Sequence, residues 1–203
     1  AQNGQDSITT GKVWHDDYPE LGTGPIPIEP CVSQEYFELE RERIYKKTWL
    51  NIGRVEQILN PGDYFVKDLP VCGTSVIVTR GKDGAVNALH NMCSHRGNKV
   101  VWDHAGTCQN FTCKFHGWSY GLDGSLKFVP DEKSFFALQK DQLGLTPITV
   151  DVWEGFVFIN LNPEPPETLK EHLGELGAGL EGYPFEKLTT CYAWHTELKA
   201  NWK

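Results

Sequence analysis

The chain has no surplus of positive charge. Its 203 residues carry 19 Lys and Arg against 27 Asp and Glu, a net charge of −8 with His neutral. A surface that repels phosphate lacks the counterion-release contribution that drives binding to nucleic acid, so no nucleic-acid partner is expected. No apolar run approaches the roughly 18 residues needed to cross a bilayer, and the first ten residues hold no signal-peptide core. No membrane association and a cytoplasmic location are therefore expected. Internal repeats and low-complexity tracts are missing as well. The six Cys follow no export signal, and in a reducing compartment Cys is more often a metal ligand or a buried hydrophobe than half of a disulfide. The chain begins at Ala1 rather than Met, which suggests trimming or an edited sequence.

What is present is ordinary for a folded, loop-rich protein: 39% hydrophobic and 23% charged residues, with 20 Gly and 12 Pro. A chain of this length buries about 70% of its unfolded surface and needs no disulfides to hold a core. Residues 1–30 are polar and rich in Gly and Pro, and read as an arm lying over another surface. From Ser33 the pattern turns helical, with Ser33 as cap, Glu35 at the positive end, and Phe37, Ile44 and Tyr45 at helical spacing; the helix is expected to end near Trp49.

The period then changes to two. Strands are expected at 51–55, 63–69, 74–79 and 85–89, with turn signals at Asn60-Pro61-Gly62 and Lys82-Asp83-Gly84. Further strands are expected at 100–102, 111–114, 118–122, 146–152 and 156–161, with a hairpin at Leu122-Asp123-Gly124. Short strands at close spacing predict a mainly β fold, an antiparallel sandwich or small barrel. After Asn162, Pro163, Pro165 and Pro166 open a connector helix with Leu169, Leu173 and Leu176 on one face. Residues 189–203 return to strand-like alternation. The expected division is an arm and helix at 1–48, a β domain at 49–162, and a connector with the start of a further domain at 163–203.

The informative stretch runs from Cys93-Ser94-His95-Arg96-Gly97 to Cys113-Lys114-Phe115-His116-Gly117-Trp118. Reduced to donors it is C-x-H, a span of 17 residues, and C-x-x-H. A glycine follows each His pair, which suits close approach of backbone. Two Cys and two His satisfy a tetrahedral Zn²⁺, but structural zinc sites usually pair like with like along the chain. Here each loop mixes the two types. Mixed loops make sense where two metals lie side by side and each loop reaches both, as in a [2Fe–2S] cluster with two Cys on one iron and two His on the other.

This motif, its surrounding strands and the continuation Trp118-Ser119-Tyr120-Gly121 resemble the Rieske [2Fe–2S] domain, specifically the N-terminal portion of the large (alpha) subunit of aromatic-ring-hydroxylating oxygenases. Residues 37–44 leading into Thr48-Trp49-Leu50 are similar to that family's leading helix. Pro61-Gly62-Asp63-Tyr64-Phe65, Asn91-Met92 and the run from Trp153 to Asn160 also resemble it. The resemblance implies one [2Fe–2S] cluster per chain, held by Cys93, His95, Cys113 and His116, with the two His rings near the surface as the way out for the electron. It implies electron donors, namely an NAD(P)H-dependent flavin reductase, a ferredoxin or both, and a homotrimer or a trimer with a second subunit. High-potential respiratory Rieske proteins carry an extra Cys in each loop and a Ser after the second His-Gly; Asn98, Phe115 and Trp118 stand there instead. A potential in the lower part of the Rieske range, roughly −150 to +300 mV, is expected.

Other candidates have plainer readings. Cys108 reads as a loop or core thiol, and Cys31, Cys72 and Cys191 as buried small hydrophobes. His90 and His104 read as structural or solvated, and His15, His172 and His195 have no ligand spacing. Arg96, next to His95, reads as tuning the cluster, as pairing with a carboxylate across an interface, or as an ordinary salt bridge. Trp118 and Tyr120 shield the cluster or simply fill the core. Lys46, Lys47 and the charges at 40–43 make a solvated helix face.

The resemblance also implies a second domain, with mononuclear Fe(II) on two His and a carboxylate, for which this chain offers no residues after Ala200-Asn201-Trp202-Lys203. No catalytic residue is therefore assigned. The expected function is electron transfer within a Rieske non-haem iron oxygenase, toward O2-dependent hydroxylation of an aromatic substrate. The alternatives are a free-standing Rieske ferredoxin and a zinc-stabilised binding module.

Overall fold

Ten strands form in the computed structural model, which describes residues 18–22, 24–188 and 194–200. They are β1 (Leu50–Arg54), β2 (Asp63–Leu69), β3 (Thr74–Arg80), β4 (Val86–His90), β5 (Ala105–Thr107), β6 (Phe111–Thr112), β7 (Ser119–Tyr120), β8 (Leu126–Phe128), β9 (Pro147–Trp153) and β10 (Phe156–Asn160). Seven of them make one curled antiparallel sheet in the order β1-β10-β9-β4-β3-β2-β5, and β6-β7-β8 make a small second sheet. This is the mainly β, antiparallel architecture that the spacing of short strands predicts.

The central strands are apolar on both faces because both are covered. Alternate residues point to opposite sides of a strand. In β3, Ile77 enters one core with Tyr64 and Leu89, while Val76 and Val78 enter a second with Phe65 and Ala88. The register enforces this, pairing Ile77 with Leu89 and Val78 with both Phe65 and Ala88. The first core continues into the small sheet through Phe111, Tyr120 and Leu126 and holds Cys93, Cys113 and Trp118. The second is closed by Ile148, Val157 and Ile159.

The first four expected strands fall within one residue of their observed bounds. Residues 100–102 form no strand; the backbone N–H groups of Val100 and Val101 are bound by a side chain, as described below. Conversely, β5 and β8 were not expected, because Ala-Gly-Thr and Leu-Lys-Phe are extended only through their partners β2 and β7. Gly81-Lys82-Asp83-Gly84 and Gly121-Leu122-Asp123-Gly124 fold into twin turns, with Gly84 and Gly124 at φ of 84° and 81°. In each, the aspartate carboxylate accepts the N–H two residues on, from Ala85 at 3.0 Å and Ser125 at 3.1 Å.

Two short helices precede the sheet. α1 (Glu29–Val32) lies in the stretch read as an arm. Ser33 caps α2 (Gln34–Glu40), its Oγ accepting the Tyr36 N–H at 3.2 Å, as expected. The helical pattern stops at Tyr45 in a π-turn (Arg41–Tyr45), short of Trp49. Arg41 is not a solvated charge: its Nε donates to the Val71 carbonyl at 2.8 Å and its guanidinium covers the Phe37 ring. α3 (Leu169–Leu180) starts at Thr168, which forms a capping box with Glu171, so all three prolines lie before the helix rather than in its first turn. Gly174 breaks the helical dihedrals at φ 51° and shifts the phase. Leu169 is buried while Leu176 is exposed, so the expected single face does not form. Residues 194–200 carry no strand, and the rest of the segment expected to resume alternation lies outside the described residues.

Candidate metal centre

Two loops converge at the edge of the first core, one after β4 and one between β6 and β7. Their hydrogen bonds are the same. The Cys93 N–H donates to the Asn98 carbonyl at 2.8 Å and the Gly97 N–H to the Cys93 carbonyl at 2.8 Å. In the second loop the Cys113 N–H donates to the Trp118 carbonyl at 2.8 Å and the Gly117 N–H to the Cys113 carbonyl at 2.9 Å. Gly97 and Gly117 adopt φ of 71° and 72°, a conformation that costs a side-chain-bearing residue about 1–2 kcal/mol. That is the main reason for the glycines. Close approach matters only at Gly117, where an added Cβ would lie 3.0 Å from the Pro130 ring; at Gly97 the nearest atom is 3.9 Å away. The shared Cys-x-x-x-Gly spacing is the sequence trace of this duplicated loop.

Both loops place sulfur inside and imidazole outside. Cys93 and Cys113 are 3% and 2% exposed, with free thiols in hydrogen-bond contact with each other. The His95 and His116 rings face outward with centroids 4.7 Å apart and planes at 70°. Like donors thus meet like donors in space although the sequence alternates them. Among the described residues, no three His, Cys, Asp or Glu side chains converge as a single ion would require. Tetrahedral zinc needs all four donors on one point. A pair of inner thiolates and a pair of outer imidazoles suits a [2Fe–2S] cluster, in which each iron takes only two protein ligands.

The sulfurs are well supplied with donors. Burial raises the Cys113 thiol, but hydrogen bonds from the Phe115 and His116 N–H groups, from Cys93 and from Asn98 outweigh it and leave its pKa below the ordinary value. Tyr120 is fully buried, and its hydroxyl lies 3.0 Å from Cys93 Sγ and 3.0 Å from Ser94 Oγ while accepting the Ser94 N–H at 3.2 Å. Burial pushes the Tyr120 pKa up, so it keeps its proton. The Ser94 hydroxyl donates to the Leu143 carbonyl at 2.6 Å. With that proton committed, Ser94 Oγ meets the Tyr120 hydroxyl only as an acceptor, so the tyrosine proton has two acceptors in reach, Ser94 Oγ and the Cys93 sulfur, and a thiolate is the stronger of the two.

Asn91 fixes the first loop from within. Its buried amide Oδ1 accepts the N–H groups of Val100 at 3.0 Å and Val101 at 2.9 Å, and its Nδ2 donates to the Val101 carbonyl at 2.7 Å and to Ser75 Oγ at 3.2 Å. Asn91 enters the sequence reading only through resemblance, and Tyr120 only as shield or filler; nothing in their own spacing marks either role.

The remaining candidates stay apart. Cys108 is half-buried against the first core and its N–H donates to Gly62. Cys72 is buried, as expected, whereas Cys31 is only partly so; Cys191 and His15 lie outside the described residues. His90 Nδ1 is 3.0 Å from Thr74 Oγ1, and burial lowers its pKa. His104 and His195 are exposed, and His172 Nδ1 is 2.8 Å from Glu167. Arg96 is exposed beside His95, whose own pKa is lowered by burial, by His116 and by Arg96.

The sequence pattern of the Rieske [2Fe-2S] domain family matches residues 48–150. The carnitine monooxygenase oxygenase subunit of Escherichia coli K12 is 30% identical over 180 residues, 88% of this chain and 47% of that protein. The large oxygenase component of the naphthalene 1,2-dioxygenase system of Pseudomonas aeruginosa is 37% identical over 151 residues, 73% of this chain and 33% of that protein. Among solved structures, naphthalene 1,2-dioxygenase from Rhodococcus sp. superposes with a TM-score of 0.73 at 30% identity, covering 82% of this chain and 37% of that one. A quaternary ammonium Rieske monooxygenase, studied for carnitine oxidation and inter-subunit electron transfer, gives 0.71 at 28% identity, covering 76% and 41%. The chain thus spans between a third and a half of the length of these relatives and corresponds to their N-terminal part.

Proposed function

The chain belongs to the Rieske [2Fe-2S] domain family, and on that premise we propose that Cys93, His95, Cys113 and His116 hold a [2Fe–2S] cluster serving electron transfer in a Rieske oxygenase. The observation that carries the proposal is the sorting of donors: two thiols buried together inside and two imidazoles side by side outside. When bound, such a cluster takes up and releases one electron at a time.

The residues around it hold and insulate. Cys93 and Cys113 would hold one iron through their thiolates, to which Tyr120, Asn98 and the Phe115 and His116 N–H groups would donate. His95 and His116 would hold the other iron at the surface, and exposed His116 would offer the shorter way out for the electron. On this reading the electron arrives from a reductase or ferredoxin and leaves for a mononuclear iron site of the oxygenase, where O2 is used to hydroxylate an organic substrate. A trimeric assembly fits that role, since the imidazole face has to meet the acceptor. Among the described residues no helix is long and apolar enough to cross a membrane.

The test is anaerobic purification followed by iron and sulfide analysis, visible absorbance, and electron paramagnetic resonance after reduction. The expected result is a coloured protein with a rhombic signal, lost in Cys93→Ser and Cys113→Ser and retained in Cys108→Ser. A colourless, silent parental chain that retains zinc overturns the reading.

A further inference from the structure

The two imidazoles do not share an environment. The His95 ring lies flat on the indole of Trp118, with centroids 4.8 Å apart and planes within 9°. Phe135 closes the arrangement edge-on, 6.5 Å from the His95 ring and 6.0 Å from that of Trp118. Trp118 is 4% exposed and packed in the first core, so its plane is fixed by the fold. His116 is exposed, and its aromatic neighbour is different in kind: the Phe115 ring lies close, with centroids 3.9 Å apart, but it is tilted by 42° and itself exposed, so no buried plane fixes it.

A second observation marks the segment that carries Phe135. Asp131 and Ala137 both adopt a left-handed φ of 51°, and neither is glycine. Two such residues bracketing a stretch this short are kept only where the surroundings impose them, and they collect at functional sites. The segment is also tied to the second metal loop, because Pro130 lies against Gly117, just before Trp118.

We infer that Trp118 and Phe135 are positioning residues that lock the plane of the His95 imidazole and leave His116 as the unlocked ligand. The inference rests on the cluster reading above. An imidazole held through one nitrogen keeps one torsion, the turn of its plane about that bond. A parallel, immobile aromatic face removes it, and an edge-on ring on the rim keeps the imidazole seated. His95 is then an oriented ligand whose overlap with its iron is set by the protein, while His116 follows whatever docks on it.

The test uses the full chain purified with its cluster, in the variants Trp118→Leu, Trp118→Phe and Phe135→Leu. Iron and sulfide content is measured first, then the g-values and nitrogen couplings of the reduced protein by pulsed electron paramagnetic resonance. In loaded Trp118→Leu and Phe135→Leu the expected result is broadening of one nitrogen coupling and a shifted g-spread, with the second nitrogen unchanged. Trp118→Phe restores most of the parental spectrum. Phe135 is 39% exposed and leaves no buried cavity, so Phe135→Leu decides alone if Trp118→Leu fails to load. Loaded leucine variants with parental couplings overturn the inference. A parental chain without iron and sulfide overturns the cluster reading instead.

Discussion

The Tyr120 hydroxyl lies 3.0 Å from the Cys93 sulfur and 3.0 Å from Ser94 Oγ, and a Cys93 thiolate is the stronger acceptor for its proton. A hydrogen bond to sulfur favours the more negative, reduced state. Removing it in Tyr120→Phe should lower the midpoint potential, and a difference of about 1.4 kcal/mol between the two oxidation states corresponds to about 59 mV for one electron. The expected potential remains in the lower part of the Rieske range, since Asn98, Phe115 and Trp118 stand where high-potential proteins carry two Cys and a Ser, and the donors at the two sulfurs tune it within that part. Redox titration of both proteins checks this, and an unchanged midpoint at full loading would show that the hydroxyl points elsewhere.

Asn91→Leu should cost far more than its change in volume. The substitution leaves the buried N–H groups of Val100 and Val101 without an acceptor. Each such donor costs about 1–3 kcal/mol, so the melting temperature should drop by at least about 5 °C. Calorimetry of the metal-free chain separates this from any loss of loading.

The twin turns give an internal control. At Gly84 an added Cβ meets nothing within 4 Å, whereas at Gly124 it lies 2.7 Å from Leu89 Cδ2 and 3.3 Å from the Leu145 carbonyl. Gly84→Ala should cost only the left-handed penalty of about 1–2 kcal/mol. Gly124→Ala should add about 1–3 kcal/mol of overpacking, visible as a lower denaturation midpoint at similar slope. Equal midpoints would mean that the first core yields at Leu89.

Acid should destabilise the protein in two steps. Burial holds the His90 pKa below its ordinary 6.5. The Thr107 hydroxyl and then the Asn60 N–H hold Asp63 below 3.8. Both folded pKa values are depressed, so in each window the unfolded chain binds more protons. Each contribution is complete above the unfolded pKa and disappears as pH falls through the folded one. The melting temperature should begin to fall below pH 6.5 and fall again below 3.8. His90→Gln should remove the first decline and Thr107→Val reduce the second; a His90→Gln profile identical to the parent would count against a neutral His90.

The two candidate metal loops and the main strands were legible because their signals are local. Cys, His and Gly at fixed offsets announce a metal loop, and runs such as Thr74 to Arg80 are β-rich in themselves. What escaped is set by distant partners. β5 exists because β2 is beside it, residues 100–102 stay out of a sheet because Asn91 takes their N–H groups, and Leu176 leaves its face because Gly174 breaks the helix. Tyr120 and Trp118 look like core aromatics in any sequence window. Their placement against Cys93 and His95 follows from the pairing of Phe111 with Tyr120 across the loop between them.

The pairing of Leu50 with Ile159 sets the first of the ten strands beside the last, and it has a consequence for biosynthesis. All four candidate ligands are made by residue 116, and the first core is complete once Leu145 is in place. The second core needs Ile148, Val157 and Ile159. A chain leaving the ribosome can thus gather its thiols and imidazoles while β1 still lacks its neighbour.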